Sequence, residues 1–416
     1  MVGTFRQQRV VSTLLLGALA LGLSACGGEY PNSTFNHNTE FNAATDALWD
    51  TLLLYGTIVF VFVEVALVYT IFRFRRRPGG GKPKQVHGNT ALEITWTAIP
   101  AVVLVLIAIP TVRTIFKTQA KAVPDALQVQ VIGHQWWWEF KYPQLGITTA
   151  NELYLPNGRT VNFELKTFDV LHSFWIPQLG GKRDLISNKS NFLWFTPNAD
   201  LPSSAWNGFC AEYCGTSHAN MKFRVFTVTP DEFDMWAAHQ KQAAVFPAAV
   251  APVADAAVAS GDTTVAVPVQ VPVWTFPAER LASEKGYSTP SMPIPPGITF
   301  DENLLGKGDA ARGKDIYSRS SCIGCHVITG NPMSAGVIGP NLTHIASRHT
   351  LAAGMYPNDT KHLTYWIKNA PVMKPGSIMP TIGTGLVDPV RKNTVTMGGL
   401  TDAEIADVVA YIQSLK

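Results

Sequence analysis

The chain has 416 residues, of which 46% are hydrophobic and 15% charged, and its formal net charge is +3. Such a length predicts two or three domains, and the near-average apolar fraction excludes global disorder. With so small a charge and no basic stripe interleaved with aromatic residues, nucleic-acid binding is excluded as well. The five cysteines are an odd number for an exported chain, which implies chemistry beyond disulfide pairing.

Residues 1–25 read as an export signal: Arg6 and Arg9 precede the apolar stretch Val10 to Leu23 and a small-residue site. Leu23-Ser24-Ala25-Cys26 resembles a bacterial lipobox, which implies that Cys26 is lipidated and becomes the first mature residue. A plain signal peptide with an incidental cysteine is the alternative. Residues 26–120 then hold an external N-terminus and a transmembrane helix hairpin, because the runs at about 51–72 and 94–112 are each near the roughly 20 residues that cross a bilayer. Between them stand Arg73, Arg75, Arg76, Arg77, Lys82 and Lys84, with no acidic residue from Arg73 to Thr90, so this loop is cytoplasmic and both long flanks are external. Glu64 falls mid-span, where an ionisable group has to face protein rather than lipid.

From 121 to 242 the pattern changes to short β-branched and aromatic runs, such as Leu127 to Ile132, Thr160 to Leu165, Asn191 to Phe195 and Lys222 to Thr229. These predict an all-β domain of sandwich type. Residues 243–300 open on an Ala, Val and Pro-rich stretch without core-forming periodicity and read as a linker. A third module, 301–416, begins with a helix over Asp309 to Arg319 and closes with one from Leu400 to Leu415, where Thr401 and Glu404 hold capping-box positions.

Cys210, Cys214, His218 and Met221 fall within one short segment. Two thiolates, an imidazole and a thioether form a soft donor set that selects copper over magnesium or calcium and suits electron transfer. His172, upstream at a predicted strand end, supplies a second imidazole. The segment Cys210-Ala211-Glu212-Tyr213-Cys214-Gly215-Thr216-Ser217-His218-Ala219-Asn220-Met221 resembles the CuA loop of cytochrome c oxidase subunit II, and the resemblance runs from about Phe41 to Val228. It implies a cupredoxin-like fold and a binuclear copper centre bridged by Cys210 and Cys214. His172 and Met221 would complete one copper, and His218 with the backbone carbonyl of Glu212 the other.

The same resemblance implies that electrons enter CuA at Trp136, within Gln135-Trp136-Trp137-Trp138-Glu139-Phe140. It also implies that the Glu212 carboxylate holds a magnesium ion shared with the catalytic subunit, and that Glu93 stands at the entrance of a proton pathway. From the residues alone, other readings stay open: a Cys210–Cys214 disulfide or a mononuclear copper or zinc site, Trp136 as a core ring, and Glu93 as a helix-end carboxylate. Ser187-Asn188-Lys189 departs from the Pro-Gly-Arg that the family often shows after such a Gly-Gly-Lys-Arg-Asp run, which puts partner-subunit contacts there in doubt.

Cys322-Ile323-Gly324-Cys325-His326 is the c-type haem attachment pattern, in which two thiols add to the porphyrin vinyls and the adjacent His326 coordinates iron. A redox dithiol would want a thioredoxin-like setting and a zinc site a second cysteine pair nearby, and this module has neither. With Gly339-Pro340-Asn341-Leu342 and the flanking helices, the module resembles the small all-α cytochrome c fold. A methionine as sixth ligand raises the potential into the range of a donor to copper. Lys374-Pro375-Gly376-Ser377-Ile378-Met379-Pro380 resembles the family's ligand loop, which selects Met379, with Met373 the nearest rival.

Together the modules resemble subunit II of caa-type oxidases: a multidomain membrane protein with a two-helix transmembrane hairpin, a cupredoxin-like β-sandwich and an all-α cytochrome c domain. The resemblance implies electron flow from an external cytochrome c or a quinol-oxidising complex to haem c, then to CuA, then to haem-copper subunit I. Oxygen is reduced to water there, coupled to proton translocation, and this chain breaks no substrate bonds. The implied setting is a bacterial cytoplasmic membrane, with other oxidase subunits and lipid as partners. A nitric oxide reductase subunit is one alternative, since CuA does not choose the acceptor. A copper-delivery or redox-sensing lipoprotein is another, disfavoured by the two spans with Glu93 and Trp136.

Overall fold

The computed structural model describes residues 30–76, 78–79, 87–119, 122–244, 272–284 and 286–416, together with positions 13, 17, 81 and 85. Apart from positions 13 and 17, the expected export signal lies outside the described residues, as do Cys26 and residues 245–271.

Two helices, α1 (Glu40–Phe74) and α2 (Thr90–Gln119), have 35 and 30 residues. At 1.5 Å per residue they are about 50 and 45 Å long, well beyond a hydrocarbon core of about 30 Å. They outrun the apolar stretches read from the sequence because lipid-facing residues mark only the part inside the bilayer. The helices continue through polar ends such as Asp46, Asp50, Arg113 and Lys117. Phe60, Phe62, Leu104 and Ile109 are all exposed, which inverts the pattern of a water-soluble helix pair. The external helix ends are tied to the β-domain: Thr39 Oγ1 donates to Leu179 O at 2.6 Å, Glu40 accepts from Thr196 N at 3.0 Å, and Gln119 accepts from Arg183 at 2.7 Å.

The β-domain consists of β1 (Leu127–His134), β2 (Trp137–Tyr142), β3 (Ile147–Ala150), β4 (Glu152–Pro156), β5 (Val161–Thr167), β6 (His172–Trp175), β7 (Arg183–Leu185), β8 (Asn191–Phe195), β9 (Ser204–Cys210) and β10 (Lys222–Val228). They form two five-stranded sheets, ordered β3-β2-β1-β5-β8 and β4-β10-β9-β6-β7. Alternate residues point inward, so Leu127, Val129 and Val131 of β1 and Trp138, Phe140 and Tyr142 of β2 are buried. Phe174 of β6 and Phe223 of β10 stack at 5.0 Å on one sheet and meet Trp138 and Phe140 of the other. A helix, α3 (Pro230–Gln240), starts at a Thr229–Glu232 capping box and packs Trp236 on Tyr142 and Tyr154.

The C-terminal domain is built on α4 (Ala310–Arg319), α5 (Thr360–Lys368) and α6 (Asp402–Ser414). Asp309 caps α4 by accepting from Arg312 N, and the expected capping box of α6 forms, Thr401 pairing reciprocally with Glu404. Helices α4 and α6 cross in backbone contact at Gly313, where an added Cβ would lie 1.9 Å from Asp407 O. A Gly313→Ala variant is therefore expected to lose about 1–3 kcal/mol through overpacking, read as a lowered thermal midpoint.

Asp388 holds the chain that follows Met379. Burial works to raise its pKa, but the N–H groups of Arg391, Thr381 and Val390 and the Arg391 guanidinium outweigh it and hold it at about 2. Its contribution to stability is thus complete above its ordinary value of 3.8 and is lost as the pH falls through about 2. Asp388→Asn is expected to be about 1–3 kcal/mol less stable than wild type at neutral pH. Unfolding measured against pH should show the two converging in acid.

Residues 272–284 and 286–300, in the second half of the expected linker, lie against both domains. Phe276 and Tyr287 are buried in the β-domain core, and Ile298 and Phe300 in the C-terminal one. The domains also meet directly: Glu152 accepts from the N–H groups of His349 and Thr350 at 2.7 and 2.9 Å, and Arg224 donates to Gly354 O at 3.2 Å.

Candidate functional site

The antiparallel pairing of β6 with β9 sets Phe174 opposite Cys210, and Ala211 N donates to Ser173 O at 2.9 Å. This register brings His172, at the start of β6, beside the cysteine that ends β9. The loop beyond β9 then folds back through a single 3-10 turn, His218–Asn220, before β10 begins. Six donor atoms converge as a result. Cys210 Sγ lies 3.8 Å from Cys214 Sγ, 3.8 Å from His172 Nδ1 and 3.2 Å from Glu212 O. Cys214 Sγ lies 3.6 Å from His218 Nδ1 and 3.7 Å from Met221 Sδ. The sulfurs stand well beyond the roughly 2.05 Å of a disulfide.

The surroundings orient these ligand atoms. Asp169 accepts from His172 Nε2 at 2.8 Å, which puts the ring proton there and turns Nδ1 toward the sulfurs. Burial opposes protonation of His172, but Asp169 and the Cys210 sulfur outweigh it and raise its pKa. Gly133 makes room for the ring, since a Cβ there would lie 2.7 Å from His172 Cδ2. A proton shared between the cysteines drives the Cys210 thiol down to about 4 and pushes Cys214 up, because two adjacent bare thiolates repel. Cations between the sulfurs would relieve that repulsion, so this donor set fits a soft metal pair. Asp169 and Gly133 escaped the sequence reading; an Asp three residues before a buried His was the available signal.

In the C-terminal domain a cavity of about 520 Å³ is lined by Cys322, Cys325, His326 and Met379. It falls within the roughly 300–1,000 Å³ of cofactor pockets. His326 Nδ1 donates to Pro340 O at 2.8 Å, leaving Nε2 free, and burial lowers its pKa below the ordinary histidine value. Gly339 clears the ring, a Cβ there falling 2.6 Å from His326 Cε1. Met373 is buried in the core instead and does not line the cavity. Arg348 and Arg391 at the wall suit the propionates of a haem.

Gln135, Trp136 and Trp137 of the β-domain line this cavity too. Trp136 is 9% exposed, and its Nε1 donates to Cys214 O at 2.9 Å. One ring thus touches both the cysteine loop and the cavity. Glu93, by contrast, lies near the start of α2, about 40 Å along that helix from Gln119 and the β-domain.

A family profile for the transmembrane domain of cytochrome c oxidase subunit II matches residues 38–114, and one for its periplasmic domain matches residues 144–228. A cytochrome c profile matches residues 310–416. The cytochrome c oxidase subunit 2 of Alkalihalophilus pseudofirmus is 31% identical, over 97% of this chain and 96% of the relative. That of Bacillus subtilis is 30% identical, over 97% of each. This chain belongs to the cytochrome c oxidase subunit II family.

It is a subunit of a haem-copper oxidase that carries its own cytochrome c domain, and it is a membrane protein with external domains. The cytochrome c domain implies haem c, and the subunit II domain implies a copper centre. The periplasmic domain of subunit II of cytochrome oxidase from Bradyrhizobium japonicum is 28% identical, covering 29% of this chain and 97% of that one with a TM-score of 0.27.

Proposed function

We propose that this subunit is an electron relay: a covalent haem c receives electrons from outside the complex, and a binuclear CuA centre passes them to haem-copper subunit I. Both groups supply reversible one-electron storage, so the subunit needs no substrate pocket of its own. The convergence of His172, Cys210, Glu212, Cys214, His218 and Met221 carries the reading. Cys210 and Cys214 would bridge the coppers, with His172 and Met221 on one, and His218 and the Glu212 carbonyl on the other. Cys322 and Cys325 would hold the haem covalently and His326 and Met379 axially. Trp136 would admit electrons to the copper side.

The Glu212 carboxylate would bind magnesium against the catalytic subunit, and Glu93 would stand at a proton-pathway entrance. Its distance of about 40 Å along α2 from the copper domain supports that reading, since it exceeds a hydrocarbon core of about 30 Å. The chain would work in the bacterial cytoplasmic membrane with domains at 26–120, 121–242 and 301–416, a linker at 243–300 and a lipid anchor on Cys26. Its donor would be a soluble cytochrome c or a quinol-oxidising complex.

Metal analysis with optical spectra of the purified oxidase tests the proposal. The expected result is two coppers for this subunit, a purple mixed-valence copper spectrum, and a haem c that stays on the chain after denaturation. A single copper, or a Cys210–Cys214 disulfide in the mature subunit, would overturn it.

A further inference from the structure

One buried lysine at the domain interface, at the wall of the cavity, donates to backbone carbonyls of both domains. Lys374 opens the loop that leads to Met379 and is 4% exposed. Its Nζ donates to the carbonyls of Trp136 at 2.6 Å and Asn220 at 2.9 Å in the copper domain, and to that of Ala352 at 3.0 Å in its own. An ammonium has three N–H donors and a neutral amine only two. Three carbonyl acceptors therefore match the three N–H donors of the ammonium.

We propose that Lys374 is a positioning residue for electron transfer between the two domains, locking the cytochrome loop onto the copper loop with Trp136 held between them. The assignment rests on the relay reading above. Three further contacts converge on the same point. An added Cβ would lie 3.1 Å from Trp136 at Gly215 of the copper loop and 2.6 Å from it at Gly376 of the cytochrome loop, so both loops press on the indole. Ser217 Oγ of the copper loop donates to Pro375 O of the cytochrome loop at 2.6 Å. Asn220, one of the lysine's acceptors, immediately precedes Met221. A single cation thus ties the backbone of Trp136 and the end of the copper loop to the residue that begins the Met379 loop.

Other contacts across the interface, such as those of Glu152 and Arg224 with residues 349–354 and of Gln242 with His344, do not involve Trp136. Loss of Lys374 should therefore loosen the tryptophan edge while the domains remain attached. The fused domain also covers the ring that a separate donor protein would need to approach. Lys374 consequently decides whether Trp136 serves only its own chain's cytochrome.

The test uses the intact oxidase with Lys374→Met and, as a second variant, Lys374→Gln. Both are expected to keep the copper spectrum and the methionine-ligated haem absorption. Amide hydrogen exchange should rise in peptides covering residues 134–138 and 372–380. Electron transfer from photoreduced haem c to copper should fall about tenfold, the scale of one buried charge-assisted bond. Unchanged exchange with a rate within about twofold of wild type would overturn the assignment. Loss of the methionine-ligated absorption would overturn it equally, since it would show a role confined to the cytochrome loop. Failure of the relay reading is distinguishable, because the wild-type oxidase itself would then lack the mixed-valence copper spectrum.

Discussion

Replacing Cys214 with serine is expected to remove the binuclear copper spectrum and stop electron delivery, while haem c stays attached and reducible. Cys214 is the hub of the cluster: its sulfur lies within 3.8 Å of Cys210, His218 and Met221 donor atoms alike. A serine hydroxyl is hard and stays protonated at neutral pH, so it cannot bridge two soft ions as a thiolate does. Losing an outer partner of a metal ligand costs roughly 10–100-fold in affinity. Loss of a bridging ligand should exceed that, leaving one copper or none per chain. The measurement is the ratio of copper to haem c iron in the purified variant, alongside its spectrum. Retention of both coppers would show that Cys214 does not bridge.

Met379→Ala should abolish the near-infrared absorption of thioether-ligated ferric haem and lower the haem potential, because Met/His ligation is what raises it. Met373→Ala should do the opposite, keeping the absorption while losing stability. Met373 is 1% exposed within the cytochrome core, where truncating a large apolar side chain costs about 2–5 kcal/mol. The two variants separate a ligand from a packing residue six positions apart. If Met373→Ala instead removed the absorption, the axial assignment would move to that residue.

Much of the site was legible because its chemistry is written in short stretches. Cys322, Cys325 and His326 are five residues end to end, and Cys210 to Met221 one loop, so ligand type and spacing sufficed to single out the candidate donors. Helices were legible where capping and apolar length are local properties, as at Thr401 with Glu404 and in the two spans. Their true ends were not, because the apolar signal stops where lipid stops and backbone hydrogen bonding does not.

What the sequence by itself determined, then, is the set of modules and the atoms that can bind metal and haem. The tertiary structure alone decided how these face one another. Asp169 turns His172, Gly133 and Gly339 clear two imidazoles, and residues 272–284 and 286–300 pack where a free linker was expected. Trp136 became a wall of the haem cavity, and Lys374 a clasp across the interface. The reason is physical: these contacts run largely to backbone carbonyls and to absent side chains, which every chain possesses. No residue pattern distinguishes the carbonyl of Trp136 from any other until folding brings a buried ammonium within 2.6 Å of it.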